Sequence, residues 1–299
     1  MVAGQRFGQL TASLTEHRIS FLLLRKNPVS LFGLIVITGF ILTAALAPWV
    51  APYPEQGRGV PNLEAMFAPP SFTHLFGADN LGRDIMSRII MGSRISLMIS
   101  LVVVVLAVGI GMPLGALAGY MGGMTDEVVM RVTDLFLAFP SLLLAMAIAA
   151  ALGPSLQNSM IALAISWWPW YTRLVRGQAV SLRERPFVEA ARATGVRDRN
   201  IILRHILPNS LSPVIVQATV DIGTVILAAA SLSFLGLGAQ QPTPEWGLMV
   251  SSGRVYIFEQ WWISGFPGLA IFAVALAFNL VGDGLREALD PKVRRSRRA

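Results

Sequence analysis

Long apolar runs separated by short polar segments make up most of the chain. Six windows come close to the roughly 20 mainly apolar residues that a helix needs to cross the hydrocarbon core of a bilayer. We therefore predict an all-α, polytopic membrane protein with six transmembrane helices. An even number of crossings places both termini on one side of the membrane. The windows are residues 29–51, 95–119, 130–152, 158–175, 213–236 and 264–284.

A proline-rich stretch from about residue 52 to residue 94 separates the first window from the other five, and it becomes helix-like from Arg83 onward. The sequence therefore predicts two parts. Residues 1–94 would hold a cytoplasmic N-terminus, the first transmembrane helix and an outer loop. Residues 95–299 would form a five-helix core that carries a cytoplasmic loop at about 176–212.

The basic residues predict which side is cytoplasmic. Arg25 and Lys26 stand immediately before the first window, and a basic flank of this kind stays in the cytoplasm. With this orientation of the six windows, 19 of the 24 Lys and Arg residues are cytoplasmic. The net charge of +7 is therefore attributed to membrane topology, and no nucleic-acid partner is expected.

Two features inside the apolar windows are candidates for packing or function. Ala107, Gly111, Gly115 and Gly119 recur at four-residue spacing, which predicts a ridge of small residues against which another helix packs closely. Asp221 lies in the fifth window with no basic residue near it in sequence. An ionisable group at membrane depth is a pore candidate, and a hydrogen bond between helices is the equal alternative.

Several kinds of catalytic site are missing from the sequence. The two lysines, Lys26 and Lys292, do not belong to a P-loop, so the chain cannot bind ATP in that way. There is no cysteine, the three histidines have no metal-binding spacing, and no serine lies in a GxSxG motif. We therefore expect a polytopic membrane protein without a recognisable catalytic site and without a cofactor or metal site of its own.

The longest charged helical stretch interrupts the apolar pattern at residues 184–209, ERPFVEAARATGVRDRNIILRHILPN. Pro186 fits the first turn of a helix, and Gly195 fits the cap at its end. Asp198 can cap a second helix that Pro208 ends. The prediction is two short cytoplasmic helices at an angle, which either dock in a partner's groove or lie flat on anionic lipid.

This stretch resembles the EAA signature of the permease subunits of binding-protein-dependent ABC importers. In that signature Glu-Ala-Ala is followed by three residues, Gly, nine residues and Ile-x-Leu-Pro. The matching residues here are Glu189, Ala190, Ala191, Gly195, Leu207 and Pro208, with His205 in place of the isoleucine. Further segments resemble the C-type permeases of dipeptide, oligopeptide, nickel and glutathione importers, namely FGADNLGRDIMSRI (76–89), GSRISL (92–97), AGYMGG (118–123), SLSFLGLGAQQPTPEWG (231–247) and FNLVGDGLREALDP (278–291).

The resemblance implies a type I ABC importer permease fold in a bacterial inner membrane. The six EAA residues would then couple the chain to an ATPase. The implied partners are a homologous B-type permease, two ATP-binding subunits that hold ATP and Mg, an extracytoplasmic solute-binding protein and membrane lipid. The candidate contacts with the binding protein are Asp79, Gly82, Arg83, Asp84, Glu245 and Trp246.

The substrate is the least determined property. By resemblance, di- or oligopeptides come first, followed by glutathione, nickel chelates and opines. An alternative of a different class is an autonomous secondary transporter that uses Asp221 as an ion site, although the sequence shows no inverted repeat.

Overall fold

The computed structural model describes residues 27–289. This part of the chain is helical and contains no β-strand, so the predicted all-α class is confirmed. Two 3-10 turns (Leu63–Ala65 and Arg254–Tyr256) and one π-helical turn (Ile202–Ile206) accompany the α-helices. The α-helices are α1 (Pro28–Val50), α2 (Pro54–Arg58), α3 (Ile85–Met121), α4 (Gly123–Leu137), α5 (Ser141–Leu152), α6 (Leu156–Arg183), α7 (Pro186–Ala193), α8 (Asp198–Ile201), α9 (Leu207–Phe234), α10 (Trp246–Gly253) and α11 (Trp262–Leu289).

Four helical stretches within residues 27–289 are long and apolar enough to cross a membrane: α1, α3, the stretch Asp198–Phe234 and α11. A fifth crossing is obtained if α4 and α5 form one span. Helix α6 covers the fourth predicted window and has 28 residues, but side chains such as Asn158 and Arg173 make it too polar to qualify by composition. The multi-pass architecture is confirmed, and the number of six crossings stays a prediction.

The third predicted window, residues 130–152, is not one straight helix. Helices α4 and α5 meet at an angle of 84° around Ala138–Pro140. Pro140 has no backbone N–H to donate, and its ring disfavours the helical conformation of the residue before it. The window therefore contains two helices, Pro140 is the physical reason for the break, and the crossing at this window stays a prediction.

Helix α3 begins ten residues earlier than the second predicted window. Asp84 caps it by accepting a hydrogen bond from the backbone N–H of Ser87 at 2.7 Å. Its 37 residues correspond to about 56 Å at 1.5 Å per residue, which exceeds the roughly 30 Å of the hydrocarbon core. The predicted boundary between residues 94 and 95 falls inside this helix.

The ridge of small residues on α3 packs against α6 as predicted. A Cβ atom added at Gly111 would lie 2.4 Å from the carbonyl oxygen of Trp168, and one at Gly115 would lie 2.4 Å from that of Thr172. A Cβ at Gly119 would meet the carbonyl of Arg176 at 2.5 Å. Such distances leave no room for a side chain, so the two helix backbones touch over three turns.

Helix α1 packs on α11. A Cβ atom at Gly33 would lie 2.8 Å from the carbonyl oxygen of Ala277. Further along α1, the ring of Phe40 lies 6.4 Å from that of Phe278 and 5.7 Å from that of Trp246, measured between centroids. The predicted first part of the chain is thus held against the second by close backbone contact and by aromatic packing.

Candidate functional site

Helix α7 ends in a glycine cap at the position that the sequence predicts. Gly195 has φ +78°, in the left-handed region that favours glycine. Its N–H donates to the carbonyl of Arg192 at 3.0 Å, and the N–H of Val196 donates to that of Ala191 at 3.1 Å. This pair of bonds is the Schellman arrangement, which stops the helix and turns the chain sharply.

Three apolar side chains anchor the pair α7–α8 to the helix bundle. Val188 of α7, Ile201 of α8 and Ile206 of the π-helical turn are fully buried in the same core cluster as Val175 and Ala179 of α6. Burying a Val or Ile side chain contributes about 1.5–3 kcal/mol. The helix pair α7–α8 is therefore held firmly against the helix bundle.

A polar contact also ties the pair to the end of α3. The hydroxyl of Tyr120 donates to Asp198 Oδ1 at 2.6 Å, and the guanidinium of Arg192 lies 5.5 Å from the centre of the Tyr120 ring. Asp198 was expected to cap the second helix, but α8 has no side-chain cap and Asp198 is its first residue. Its carboxylate is engaged by Tyr120 instead.

The EAA residues lie mostly on the surface of this element. Glu189, Ala190, Gly195 and Pro208 are exposed, whereas Ala191 and Leu207 are half-buried. A Cβ atom at Gly195 would meet no atom within 4 Å. The structure thus combines a buried side that fixes the element with an open side that a partner can reach.

The second helix does not end at Pro208. The segment Ile202–Ile206 is a π-helical turn, in which the N–H of Leu207 donates to the carbonyl of Ile202, and the helix then continues as α9. A proline ring clashes with the carbonyl four residues earlier in a regular α-helix, and here that residue, Arg204, lies in the π-helical turn. The prediction of a helix stop was wrong, and nothing in the sequence pattern distinguishes a π-helical turn from a stop.

Asp221 lies in the helix interface. It is buried in α9, and Gln217, one turn earlier, donates to its Oδ1 at 3.0 Å. Its Oδ2 and the hydroxyl of the neighbouring Tyr171 of α6 have no aligned hydrogen-bond partner among the described residues. Gln217 lines a cavity between α6, α9 and α11, and Asp221 is not in its wall. The bond from Gln217 lies within α9, so the choice between a pore group and a hydrogen bond between helices stays a prediction.

All six predicted contacts with a binding protein are buried. Asp79 accepts from the side chain of Arg83 at 2.7 Å and from its backbone N–H at 3.0 Å, and Arg83 also donates to Gln241 at 3.1 Å. Asp84 accepts from Ser87 and lies 2.9 Å from His74 Nδ1. None of these side chains, therefore, presents itself to a docked protein in this conformation. The buried residues are Asp79, Gly82, Arg83, Asp84, Glu245 and Trp246.

Glu245 and Trp246 hold α10 in place. The carboxylate of Glu245 accepts from the backbone N–H groups of Gly247 at 2.9 Å and Leu248 at 2.8 Å, which caps the helix. Burial raises the pKa of Glu245, against the opposing effect of these two N–H groups. The indole of Trp246 donates to the carbonyl of Ile89 in α3 at 3.0 Å.

These buried groups belong to a unit that we call the outer cap, made of residues 51–84 and 235–261. Its two halves pack through the rings of Phe67 and Tyr256, whose centroids lie 4.9 Å apart. The indole of Trp262, at the start of α11, donates to the carbonyl of Ala78 at 3.2 Å and ties the cap to that helix. Gly82 has φ +70°, and a Cβ atom there would lie 1.7 Å from the carbonyl oxygen of Asn62. The six buried residues predicted to contact a binding protein therefore lie in the interior of the cap.

Two ion pairs join α4 to the part of α6 that leads into α7. Arg176 makes a bidentate contact with Asp126 at 3.0 and 2.6 Å, and Arg173 pairs with Asp134. The pairs hold α4 against α6, the helix that leads into α7. The element that carries the EAA residues is consequently linked to α3, α4 and α6 together.

The apolar helix bundle, with the exposed helix pair α7–α8 at one end and the outer cap at the other, is that of a multi-pass membrane protein. A family profile described as the binding-protein-dependent transport system inner membrane component matches residues 111–295. A second, described as the N-terminal TM domain of oligopeptide transport permease C, matches residues 18–70. The chain belongs to this family of inner-membrane permease components.

Curated relatives cover almost the whole chain. The dipeptide transport system permease protein DppC of Alkalihalophilus pseudofirmus is 50% identical over 96% of this chain and 93% of its own length. The probable D,D-dipeptide transport system permease protein DdpC of Escherichia coli is 48% identical over 90% of both chains. The glutathione transport system permease protein GsiD of Escherichia coli O157:H7 is 45% identical over 90% of this chain and 88% of its own.

A solved structure has the same fold. The inward-facing MetNI methionine ABC transporter matches with a TM-score of 0.55 at 20% identity, over 69% of this chain and 98% of that one. The chain is therefore a non-catalytic permease subunit of an ABC importer in the inner membrane, and ATP hydrolysis takes place in a separate chain. Family membership sets aside the autonomous secondary transporter.

Proposed function

We propose that this chain forms half of the translocation pore of an ATP-driven importer for di- or oligopeptides. The permeases named for dipeptides support this substrate class at 48–50% identity. Glutathione, itself a tripeptide, is the second candidate because a permease named for it is 45% identical.

The observation that carries the coupling role is the exposed, anchored pair α7–α8. A chain that is driven by ATP without a P-loop must receive its motion from another protein, and a rigid helical element transmits displacement without deforming. Glu189, Ala190 and Gly195 would contact a cleft of the ATPase, next to the half-buried Ala191. Leu207 and Pro208 would set the path back into α9. ATP-driven closure of the two ATPases would then switch the pore between two packed states.

On the outer side, we assign the contact with the binding protein to the surface of the outer cap. Asp79, Arg83 and Asp84 would support this surface from beneath. Phe72 and Phe258 are almost fully exposed, and exposed aromatic side chains are enriched at protein interfaces. The exposed apolar side chains of the cap include Leu63, Phe72, Leu75, Val255, Phe258 and Trp261.

The full assembly would contain a homologous B-type permease, two ATP-binding subunits with ATP and Mg, and a solute-binding protein. Both termini would be cytoplasmic, and this chain would hold no cofactor. Residues 1–94 would supply the first crossing and most of the outer cap, and residues 95–299 the five-helix core. Asp221 would shape the pore wall through Gln217 without touching the substrate.

The test is uptake by the whole complex in proteoliposomes. With the binding protein outside and ATP at the ATPases, a radiolabelled dipeptide should accumulate, and omitting this chain, ATP or the binding protein should abolish uptake. Excess unlabelled dipeptide should compete, whereas methionine should not. Uptake by this chain alone, or the absence of any peptide uptake by the complete assembly, would overturn the proposal.

A further inference from the structure

A cavity of about 810 Å³ lies between the inner halves of α6, α9 and α11. Its size falls within the range of small-molecule sites, about 300–1,000 Å³. The apolar part of its wall includes Val216 and Val220 of α9 and Leu289 of α11. The polar part is formed by Gln178 of α6, Gln217 of α9, and Asp283 and Arg286 of α11.

The two charged groups of this wall have opposite signs and stand three residues apart on one helix. Residues at this spacing share a helix face, with Cβ atoms about 5–6 Å apart. Both side chains are exposed. Within residues 27–289 neither takes part in an ion pair shorter than 4.0 Å, in contrast to Asp126 and Asp134, which are paired with arginines of α6. The pair is therefore available to a ligand.

A short peptide with free ends has the matching chemistry. Its α-ammonium group is a hydrogen-bond donor for Asp283, and its α-carboxylate fits the planar fork of the Arg286 guanidinium. An extended chain spans at most about 3.3–3.6 Å per residue, so a dipeptide covers about 7 Å between its ends. This length is comparable to the spacing of about 5–6 Å between Cβ atoms three residues apart on a helix, and a longer extended peptide carries its two ends farther apart.

Two side-chain amides in the cavity wall match the peptide group of the ligand. Gln178 and Gln217 each offer a donor and an acceptor, which suits the single peptide group of a dipeptide. Gln217 is held by its bond to Asp221 at 3.0 Å, so the buried carboxylate fixes the orientation of one wall group. Asp221 therefore contributes to the site only through Gln217.

We propose that Asp283 and Arg286 form a recognition pair for the two free ends of a dipeptide in the inner part of the pathway. This inference rests on the proposed peptide-import function and adds to it a site in the membrane subunit. Both groups face water, and exposed charge pairs contribute little, which corresponds to about two- to fivefold in affinity each. Weak binding is compatible with release into the cytoplasm.

Photolabelling of the purified complex tests the site directly. The detergent-solubilised assembly of this chain, its partner permease and its ATPases is incubated with an alanyl-photoleucine dipeptide, without nucleotide or binding protein. After irradiation, mass spectrometry locates the adducts. We expect adducts on apolar wall residues such as Val216, Val220 or Leu289. Free alanyl-alanine should compete with the label, and its N-acetylated, C-amidated form should not.

Matched variants separate charge recognition from structural damage. Asp283→Asn and Arg286→Gln should each lower labelling about two- to fivefold. Asp283→Glu should retain labelling, because the carboxylate is kept. Glu64→Gln and Arg94→Gln remove an exposed acid and an exposed base in the outer part of the chain, and should leave labelling unchanged.

The outcomes distinguish the two proposals. If the wild-type complex takes up dipeptides but shows no adduct in the cavity, or if Asp283→Asn and Arg286→Gln label as the wild type does, the recognition pair is refuted and the import function stands. Equal competition by the capped peptide refutes it as well. If the assembly takes up no peptide at all, the proposed function itself fails.

Discussion

The helix pair α7–α8 and the outer cap both carry dense polar motifs, but the pair exposes its motif residues and the cap buries them. In the helix pair, the apolar Val188, Ile201 and Ile206 are buried, and Glu189 and Gly195 face outward. In the outer cap, the charged motif residues are buried and paired, while phenylalanines are exposed. A motif that resembles a docking signature can therefore be either the docking surface or the framework beneath it, and burial distinguishes the two.

The largest effect is expected from Asp79→Ala in the outer cap. The change leaves Arg83 and Arg88 buried without their carboxylate partner, and breaking a buried pair costs about 3–5 kcal/mol. Thermal unfolding of the solubilised complex should show a large loss of stability. Glu55→Ala removes an exposed pair with Arg58 and should change stability by less than about 1 kcal/mol. Equal stability of the two variants would show that the cap does not depend on its buried charges.

A smaller loss of stability is expected at the glycine ridge between α3 and α6, which positions the helix pair α7–α8. Gly115→Ala places a Cβ atom 2.4 Å from the carbonyl of Thr172, so α3 and α6 must separate, at a cost of about 1–3 kcal/mol. The control Gly109→Ala is on the same helix with no atom within 4 Å, and should be neutral or stabilising. The measurement is again thermal unfolding, and identical midpoints for the two variants would contradict the close packing.

Substitutions on the exposed surface of the outer cap should change activity and leave stability unchanged. The double variant Phe72→Ala/Phe258→Ala is expected to weaken stimulation of ATPase activity by the binding protein about fivefold, or about 1 kcal/mol. The ATPase rate measured at increasing concentrations of binding protein gives this fold-change. Phe139→Ala, which removes an exposed phenylalanine at the α4–α5 bend, serves as the control. Stimulation unaltered by the double variant would place the contact elsewhere.

The smallest expected effect is the contribution of Glu245 to the pH dependence of stability. Because the pKa of Glu245 is raised in the folded protein, its contribution to stability is full below the ordinary value of 4.5 and is lost as the pH rises through the raised pKa. Glu245→Gln should remove this part of the pH dependence, whereas Glu55→Gln should not. Unfolding midpoints across the acidic to neutral range are the measurement. A Glu245→Gln profile parallel to that of the wild type would show that the carboxyl titrates normally.

The sequence predicted local features better than contacts between distant segments. The Gly195 cap and the glycine ridge follow from backbone sterics and helix periodicity, so both were predictable. The bend between α4 and α5 was missed although Pro140 marks it. The burial of Arg83 depends on Gln241 and that of Trp246 on Ile89, partners about 160 residues away in sequence. No local pattern contains that information, and the outer motif residues were accordingly placed on the surface.

The central claim is that the exposed side of α7–α8 couples this permease to its ATPase. The decisive measurement compares ATP-driven dipeptide uptake with ATPase co-purification for Glu189→Lys and Gly195→Asp, with Glu127→Lys, an exposed acid on α4, as the control. We predict normal membrane insertion of all three variants, at least a tenfold loss of uptake for the first two, which is about 1.4 kcal/mol, and wild-type uptake for the control. Normal uptake with normal co-purification by Glu189→Lys and Gly195→Asp would contradict the claim.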